Sequence, residues 1–258
     1  MDPLYVLSGA VVGLLVGMTG VGGGSLMTPL LVLAFGFHPV AAVGTDLLFA
    51  GGTKSVGTLV HGANRNVAWR ITFLLAAGSL PASLLAIIAL RELGELNAIT
   101  ARIVSFTLGI ALLLTAVSLL FRPQIITYAA GRRHQHSAHP RRTALLTVAT
   151  GVALGVLVSL SSVGAGAIGI SALLMLYPGV RVARIVASDI AHAVPLTLLA
   201  GLGHWYLGSV NWPVLAALLI GSLPAIVVGS LASTRVPEAV LRVILAAVLF
   251  VVGARLVV

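Results

Sequence analysis

The 258-residue sequence contains no cysteine and little charge: 8% of its residues are Asp, Glu, Lys or Arg, whereas 59% are hydrophobic. The absence of cysteine excludes thiol catalysis, disulfide bonds and cysteine-based metal sites. Soluble domains carry about 25% charged residues, so most of this chain is expected to face lipid or the interior of a membrane bundle. The composition therefore predicts an all-α integral membrane protein with the lipid bilayer as its partner.

Acidic residues are scarce as well, and the formal net charge is +9. In a soluble protein this excess would suggest a nucleic-acid partner. Here the basic residues are arginines that lie between apolar segments, as in the cytoplasmic loops of membrane proteins, so no nucleic acid is predicted. The N-terminus Met1–Tyr5 lacks the basic region of a signal peptide. The first segment is therefore expected to be retained in a multi-pass protein of the cell inner (plasma) membrane.

Long apolar runs follow one another along the chain, each near the ~20 residues needed to cross the hydrocarbon core. Candidate spans lie at about 4–35, 40–61, 68–90, 100–121, 143–177, 183–207, 212–233 and 239–257. The first and fifth are longer than one span and are broken by glycines, near 20–25 and 161–166. The sequence therefore predicts membrane repeats at 1–121 and 143–258, joined by a polar, basic cytoplasmic connector at 122–142.

The two halves carry the same polar landmarks in the same order, 143 residues apart. Asp46 corresponds to Asp189, and Trp69 corresponds to Trp212. The segment Gly78–Pro81 has the sequence Gly-Ser-Leu-Pro, which recurs at 221–224. Apolar composition alone does not produce such an ordered set of matches, so the pattern indicates an internal duplication.

Arginine placement distinguishes two orientations of the repeats. If each broken segment is a re-entrant hairpin, three full spans remain per half, the second half is inverted, and eleven of the fourteen arginines are cytoplasmic. If the broken segments cross fully, the repeats are parallel and only eight arginines are cytoplasmic. The positive-inside rule favours inversion. The predicted fold is a polytopic helical bundle of two inverted repeats, each with a broken, re-entrant, glycine-rich first element plus about three full spans.

The two glycine-rich breaks are candidate binding segments. Adjacent glycines disfavour a continuous helix, and a break exposes backbone N–H groups that attract an anion at a helix N-terminus. Nearby hydroxyl groups add hydrogen-bond donors. The predicted substrate-binding residues at the breaks are Gly20, Gly22, Gly23, Gly24, Ser25, Thr45, Ser161, Ser162, Gly164, Gly166 and Ser188. The alternative is close packing of membrane helices along small residues, which fits Gly13 with Gly17 and Gly151 with Gly155.

Only two carboxylates lie inside the predicted spans, Asp46 and its counterpart Asp189. Ionisable groups in membrane spans are costly and mark functional sites by default. Three roles remain open for them: bracing the breaks by accepting N–H groups, carrying protons, or contacting the substrate or a cation. Lys54, the only lysine, lies two turns after Asp46 and either attracts the substrate anion or neutralises Asp46. His192, one turn after Asp189, is either a relay partner or a hydrogen-bonded packing residue.

No catalytic group is predicted for this chain. It contains no nucleophile motif and no ligand pair of the His-Glu-x-x-His type, so the sequence predicts neither an enzyme nor a metal or cofactor site. His134, His136 and His139 lack regular helical spacing and are expected in a solvated loop. His61 and His204 end their spans near tryptophans and are expected to anchor the membrane interface.

The segments Gly17–Gly24, with a following Pro29, and Val43–Asp46, with its repeat around Ser188 and Asp189, resemble the sulfite exporter TauE/SafE family. This family is also called the toluene sulfonate uptake permease family, and the likeness covers nearly the whole chain. The resemblance implies a secondary carrier of the bacterial or archaeal inner membrane. Its implied substrates are small sulfur-containing anions such as sulfite, sulfonates, sulfoacetate or thiosulfate.

The sequence thus favours an alternating-access transporter in which the two breaks hold an anion and the buried acids brace the breaks or exchange protons. An anion channel is the alternative, and it would conduct without saturating counterflow. A monomer and a homodimer both fit the sequence, and so do import and export.

Overall fold

A computed structural model describes residues 3–19, 24–63, 67–94, 97–131, 140–232 and 238–257. Within these ranges the chain forms α-helices and no strands. The helices of the first half are α1 (Pro3–Thr19), α2 (Gly24–Leu33), α3 (Pro39–Ala63), α4 (Trp69–Leu93) and α5 (Ala98–Gly131). Those of the second half are α6 (Pro140–Ser161), α7 (Ala167–Leu176), α8 (Val182–Tyr206), α9 (Trp212–Ala232) and α10 (Glu238–Val257).

The helices match the candidate spans to within a few residues, except at the end of the first half. There α5 continues through Pro123 to Gly131, so residues 122–131 of the expected connector are helical. The extension is stabilised by packing, because Ile125 and Ile126 lie against a buried cluster that includes Ile170. Of the described helices, α4, α5, α6, α8 and α9 are long and apolar enough to cross a membrane. The prediction of a multi-pass helical membrane protein is therefore confirmed.

Each glycine-rich segment separates two helices that double back on each other. In the second half, the Tyr177 hydroxyl after α7 lies 2.8 Å from Thr147 Oγ1, near the start of α6. In the first half, Tyr5 near the start of α1 packs against Phe35 just after α2, with ring centroids 4.7 Å apart and ring planes tilted by 43°. Both α1–α2 and α6–α7 are therefore helical hairpins, which is the shape that a re-entrant element requires.

The two halves pack by exchanging helices. The first helix of each half lies against the fourth helix of the other, so that α1 contacts α9 and α6 contacts α4. The remaining large contacts join corresponding helices, α3 with α8 and α5 with α10. A two-fold relation between the halves produces this pattern. It maps the pairs α3–α8 and α5–α10 onto themselves and exchanges the pair α1–α9 with the pair α4–α6.

The direction of the central pair follows from its contacts. Gly44 of α3 faces His204 of α8, whereas Gly51 faces Leu198, so α3 and α8 are antiparallel. Corresponding helices of parallel repeats would run in the same direction. The antiparallel contact is therefore the one that inverted repeats require, while inversion relative to the bilayer stays a prediction.

Small residues line the exchanged pairs. A methyl group added at Gly151 would collide with the backbone of Leu75, and one at Gly155 with the backbone of Ser79. Gly13 faces Ser222 in the same way. The close helix packing that the sequence offered for these three glycines is confirmed.

Candidate transport site

Residues 162–166 form the interruption between α6 and α7. Three of them have positive φ angles: Ser162 at 58°, Gly164 at 119° and Gly166 at 127°. A side chain other than glycine is strained in this region, so Ser162 stores local strain. Gly166 precedes α7 without a side-chain hydrogen bond to cap it. The interruption thus presents the positive end of the α7 dipole.

Asp46 lies on α3 with no exposed surface. Thr28 of α2 donates a hydrogen bond from its hydroxyl to Asp46 Oδ2. The carboxylate also lies close enough to the Ser162 side chain to interact with it, although in the described part of the chain Ser162 Oγ completes no hydrogen bond. Asp46 therefore joins α2 of its own half to the interruption of the other half.

Asp189 occupies the equivalent position on α8 and is 1% exposed. Its carboxylate lies beside the backbone of Gly166, and a methyl group added at Gly169 would collide with Oδ1. Neither carboxylate oxygen reaches a partner with hydrogen-bond geometry among the residues described. Asp189 is thus a buried acid packed against the positive start of α7, in contact with helix backbone rather than with a donor side chain.

Lys54 lies on α3 and interacts electrostatically with both carboxylates, Asp46 and Asp189. The two acids and the lysine carry one net negative charge when all three are ionised. Protonation of one acid makes the group neutral. Lys54 therefore lies within electrostatic range of the acids of both halves, and neither Asp189 oxygen is hydrogen-bonded to it.

His192 lies one turn after Asp189 and is fully buried. Its Nε2 atom lies 2.7 Å from Ser79 Oγ on α4. Its Nδ1 atom has no hydrogen-bond partner within the described ranges. The hydrogen-bonded packing that the sequence offered for His192 is therefore present on one side of the ring, and the other nitrogen stays available for a proton relay.

Thr45 and Ser188, the hydroxyls that precede the two acids, make equivalent contacts. Thr45 Oγ1 accepts a hydrogen bond of 3.0 Å from the Asn211 amide, just before α9. Ser188 Oγ accepts one of 2.8 Å from the Ala68 amide, just before α4. Each side chain thus holds the start of the fourth helix of one half. Their predicted contact with substrate stays a prediction.

Of the remaining residues predicted to bind substrate, some lie within the described part of the chain and others lie outside it. Ser161 donates its hydroxyl to the Leu157 carbonyl oxygen at 2.6 Å, within α6. Ser25 is buried in the first turn of α2, which begins at Gly24. The predicted glycines at positions 20, 22 and 23 lie outside the described residues.

Sequence reasoning missed two side chains that contact the site, Thr28 and Ser79. Ser79 belongs to the repeated Gly-Ser-Leu-Pro segment, so a signal was available. The anchoring role expected for His204 is wrong: the residue is fully buried, with Nε2 3.0 Å from the Ser159 carbonyl oxygen and Nδ1 3.1 Å from Ser209 Oγ. The close approach of α6 and α8 buries its ring, which span length does not reveal.

Paired helical hairpins inside a membrane bundle, with buried acids at an interruption, define a membrane transporter. The chain belongs to the sulfite exporter TauE/SafE family, which matches residues 5–256. The protein is therefore a membrane transporter and not an enzyme.

Curated relatives agree with this assignment. The chain is 36% identical to the probable membrane transporter protein YjnA of Bacillus subtilis, over 100% of both chains. A probable membrane transporter protein of Methanocaldococcus jannaschii is 26% identical over 97% of this chain and 93% of its own length. The Bacillus subtilis protein YdhB, with the same description, is 25% identical over 93% of both chains. No solved structure matches the chain significantly.

Proposed function

We propose that the protein is a secondary transporter that moves small sulfur-containing anions, such as sulfite, sulfonates, sulfoacetate or thiosulfate, by alternating access. The observation that carries this proposal is the interruption at residues 162–166, which lies against Asp46 of one half and Asp189 of the other. Such a junction between repeats is where transporters with broken helices bind their substrates.

The groups at this junction suit an oxyanion. The start of α7 offers backbone N–H groups and a partial positive charge, and Ser162 offers a hydroxyl whose oxygen is buried. Lys54 adds an amine that supplies a positive charge when it is protonated. Hydrogen bonds to an ionised acceptor are roughly twice as strong as those between neutral groups, so N–H, O–H and ammonium donors together favour a small charged oxyanion.

The balance of charge favours coupling to protons. An anion that enters beside Asp46 and Asp189 is repelled by each ionised acid, by about 3 kcal/mol at a separation of about 6 Å and an effective dielectric constant of about 20. Lys54 compensates one acid. Protonation of the other removes the remaining repulsion, so anion binding and proton binding are expected to assist each other.

The proposal is tested by reconstituting the purified protein in liposomes and recording currents on a solid-supported membrane. The panel is sulfite, thiosulfate, sulfoacetate, taurine and sulfate, each with and without a pH gradient. We expect saturable currents for at least one sulfur anion, and counterflow of the same anion. Conductance that does not saturate and shows no counterflow would indicate a channel and contradict the proposal.

Variants of the charged group separate substrate binding from proton coupling. Lys54→Gln is expected to weaken anion binding at least about tenfold because a charge-assisted contact of about 1.5–3 kcal/mol is lost, whereas Lys54→Arg keeps the charge and serves as the control. Asp46→Asn and Asp189→Asn are each expected to reduce the dependence of transport on pH. Unchanged rates and an unchanged pH dependence in both asparagine variants would rule out the proton role.

A further inference from the structure

A cavity lies where the starts of α4 and α6 meet the loop between α7 and α8. Its volume is about 300 Å³, which is at the lower end of the range for small-molecule sites. α4 contributes Arg70 and Leu74, α6 contributes residues from its first two turns, and residues 176–180 complete the lining. Apart from the Arg70 guanidinium and the hydroxyls of Thr143 and Tyr177, the lining side chains are apolar. The cavity thus combines one cation with an apolar wall.

Positive charge is concentrated around this cavity. Residues 69–74, 140–144 and 176–184, which contain its lining, include five arginines and neither aspartate nor glutamate. All five arginines are exposed. They are Arg70, Arg141, Arg142, Arg181 and Arg184. Because no acid of these segments neutralises them, the ligand that complements the cavity is an anion.

The cavity lies at the level of the lipid headgroups. Its lining residues on α4 and α6 fall within the first six residues of each helix, which corresponds to about 9 Å of helix. The interfacial region of each leaflet is about 5–8 Å deep. Trp69 and Phe73 are 54% and 66% exposed, with ring centroids 5.9 Å apart, and Leu145, next to the lining residue Ala144, is 71% exposed. Such exposed aromatic and apolar side chains are typical of the boundary between lipid and water, so the cavity borders both phases.

The equivalent corner of the first half is built differently. At the repeat offset of 143 residues, Arg70 corresponds to Pro213, and the counterpart of the α7–α8 loop, residues 34–38, contains no arginine. Aromatic rings pack there instead, with Tyr5 against Phe35. The fold therefore forms this corner without a basic cavity. The positive-inside rule accounts for the sign of the charge in the second half, but not for a cavity at the same place.

We propose that this cavity binds the headgroup of an anionic phospholipid from the leaflet at the starts of α4 and α6, which the predicted orientation places on the cytoplasmic side. The Arg70 guanidinium binds the headgroup phosphate, a geometry for which arginine is well suited. The surrounding arginines add attraction to the anionic lipid surface. The acyl chains lie along the exposed apolar side chains of α4 and α6. A free phosphate or sulfate ion would use the arginine but would leave the apolar wall without a partner, so the lining favours a lipid.

A lipid in the cavity would contact three elements that the transport site depends on. The α7–α8 loop leads from the hairpin α6–α7 to α8, the helix that carries Asp189. The start of α4 is bonded to α8 beside that acid: Ser188 Oγ accepts a hydrogen bond of 2.8 Å from the Ala68 amide, and Thr72 donates its hydroxyl to the Ser188 carbonyl oxygen at 3.2 Å. Binding at the cavity is therefore expected to stabilise the packing of α4, α6 and α8.

The test is native mass spectrometry of the purified protein in a neutral detergent, with equal amounts of dioleoyl phosphatidylglycerol and dioleoyl phosphatidylcholine. We expect one phosphatidylglycerol molecule to be retained per chain in preference to phosphatidylcholine, and a higher Tm with phosphatidylglycerol. Arg70→Gln is expected to lower this retention at least about tenfold, because a hydrogen bond between two charged groups is lost. Arg70→Lys keeps the charge and is expected to keep more of the retention, which a merely misfolded glutamine variant would not explain.

Two further variants separate the cavity from general surface charge. Arg102→Gln removes an exposed arginine from α5, a helix that does not line the cavity, and is expected to change retention by less than about twofold. Ala144→Leu keeps every charge but places a larger side chain in the lining, and is expected to lower retention as Arg70→Gln does.

Several outcomes would overturn the lipid site: equal retention of the two lipids, equal losses in Arg70→Gln and Arg102→Gln, or full retention in Arg70→Gln or Ala144→Leu. Displacement of the lipid by inorganic phosphate at equal concentration would assign the cavity to a free anion and overturn it as well. Lipid retention is measured without transport. Its failure therefore leaves the proposed function standing, and failure of the transport panel leaves the lipid site standing.

Discussion

The hydrogen bond from Thr28 to Asp46 is expected to hold α2 in the hairpin of the first half. Thr28→Val keeps a similar side-chain volume but removes the hydroxyl that bonds to Asp46 Oδ2. The Asp46 Oδ1 atom already lacks a hydrogen-bond partner in the described chain. The substitution therefore leaves a fully buried carboxyl group with the Thr28 backbone amide, the more distant Lys54 and the Ser162 side chain as its polar neighbours.

The magnitude follows from the type of bond. Hydrogen bonds between membrane helices average about 0.6 kcal/mol and reach about 1.7, whereas bonds to charged acceptors are worth about 1.5–3 kcal/mol. A buried carboxyl acceptor belongs at the upper end of the membrane range, so we expect a loss of about 1.5 kcal/mol. For a chain of this size that corresponds to a decrease in Tm of about 3–6 °C.

The assay is thermal unfolding in detergent, with Thr115→Val as the matched control. Thr115 is also buried, at 2% exposure, but within the described residues its hydroxyl has no partner. Removing it is expected to be neutral or stabilising, because an unsatisfied polar group disappears. Asp46→Asn combined with Thr28→Val completes a double-mutant cycle, in which a coupling energy above about 0.5 kcal/mol indicates direct interaction. Equal Tm values for the two valine variants would refute the bracing role of Asp46.

Three further predictions concern the packing of α4 against α6, the interruption at residues 162–166 and the orientation of the two repeats in the membrane. Gly78→Ala places a methyl group 2.9 Å from the Val152 backbone nitrogen, where α4 packs against α6, and is expected to destabilise the protein by about 1–3 kcal/mol in thermal unfolding. Gly52→Ala, whose added methyl meets only a leucine methyl group at 3.6 Å, is the control. A similar Tm for both variants would contradict close packing of α4 against α6. Ser162→Gly relieves the positive φ and is expected to raise stability by about 1 kcal/mol, whereas a lower Tm would show that the serine side chain stabilises the interruption. Cysteines introduced at Arg142 and Trp205 should react with an impermeant thiol reagent from the cytoplasmic and the outer side respectively, and labelling of both from one side would contradict inversion.

Much of the fold is readable from sequence because the bilayer imposes a length on each helix. The predicted spans at 68–90 and 183–207 lie close to α4 and α8, and the break near 161–166 falls between α6 and α7. The predicted connector begins at residue 122 because the sequence becomes polar and basic there, whereas α5 continues to Gly131. Packing of Ile125 and Ile126 against α7 decides that question, and hydropathy does not record it.

The charged residues of the site could be predicted from the sequence, whereas their contacts could not. Asp46, Asp189 and Lys54 stand out because ionisable residues are rare within membrane spans. Which hydroxyl meets which acid depends on how the hairpins cross, so the bond from Thr28 to Asp46 was not foreseen. The burial of His204 was missed for the same reason, since a histidine near the end of a span has no sequence mark that separates lipid contact from helix contact.

The exchange of first helices between the halves has a consequence for biogenesis. Because α1 rests on α9 and α6 rests on α4, neither half can complete its own fold when it leaves the ribosome alone. If the two halves are expressed separately, divided between Gly131 and Pro140, each fragment should be degraded by quality-control proteases. The same fragments, when co-expressed, should rescue each other by complementation.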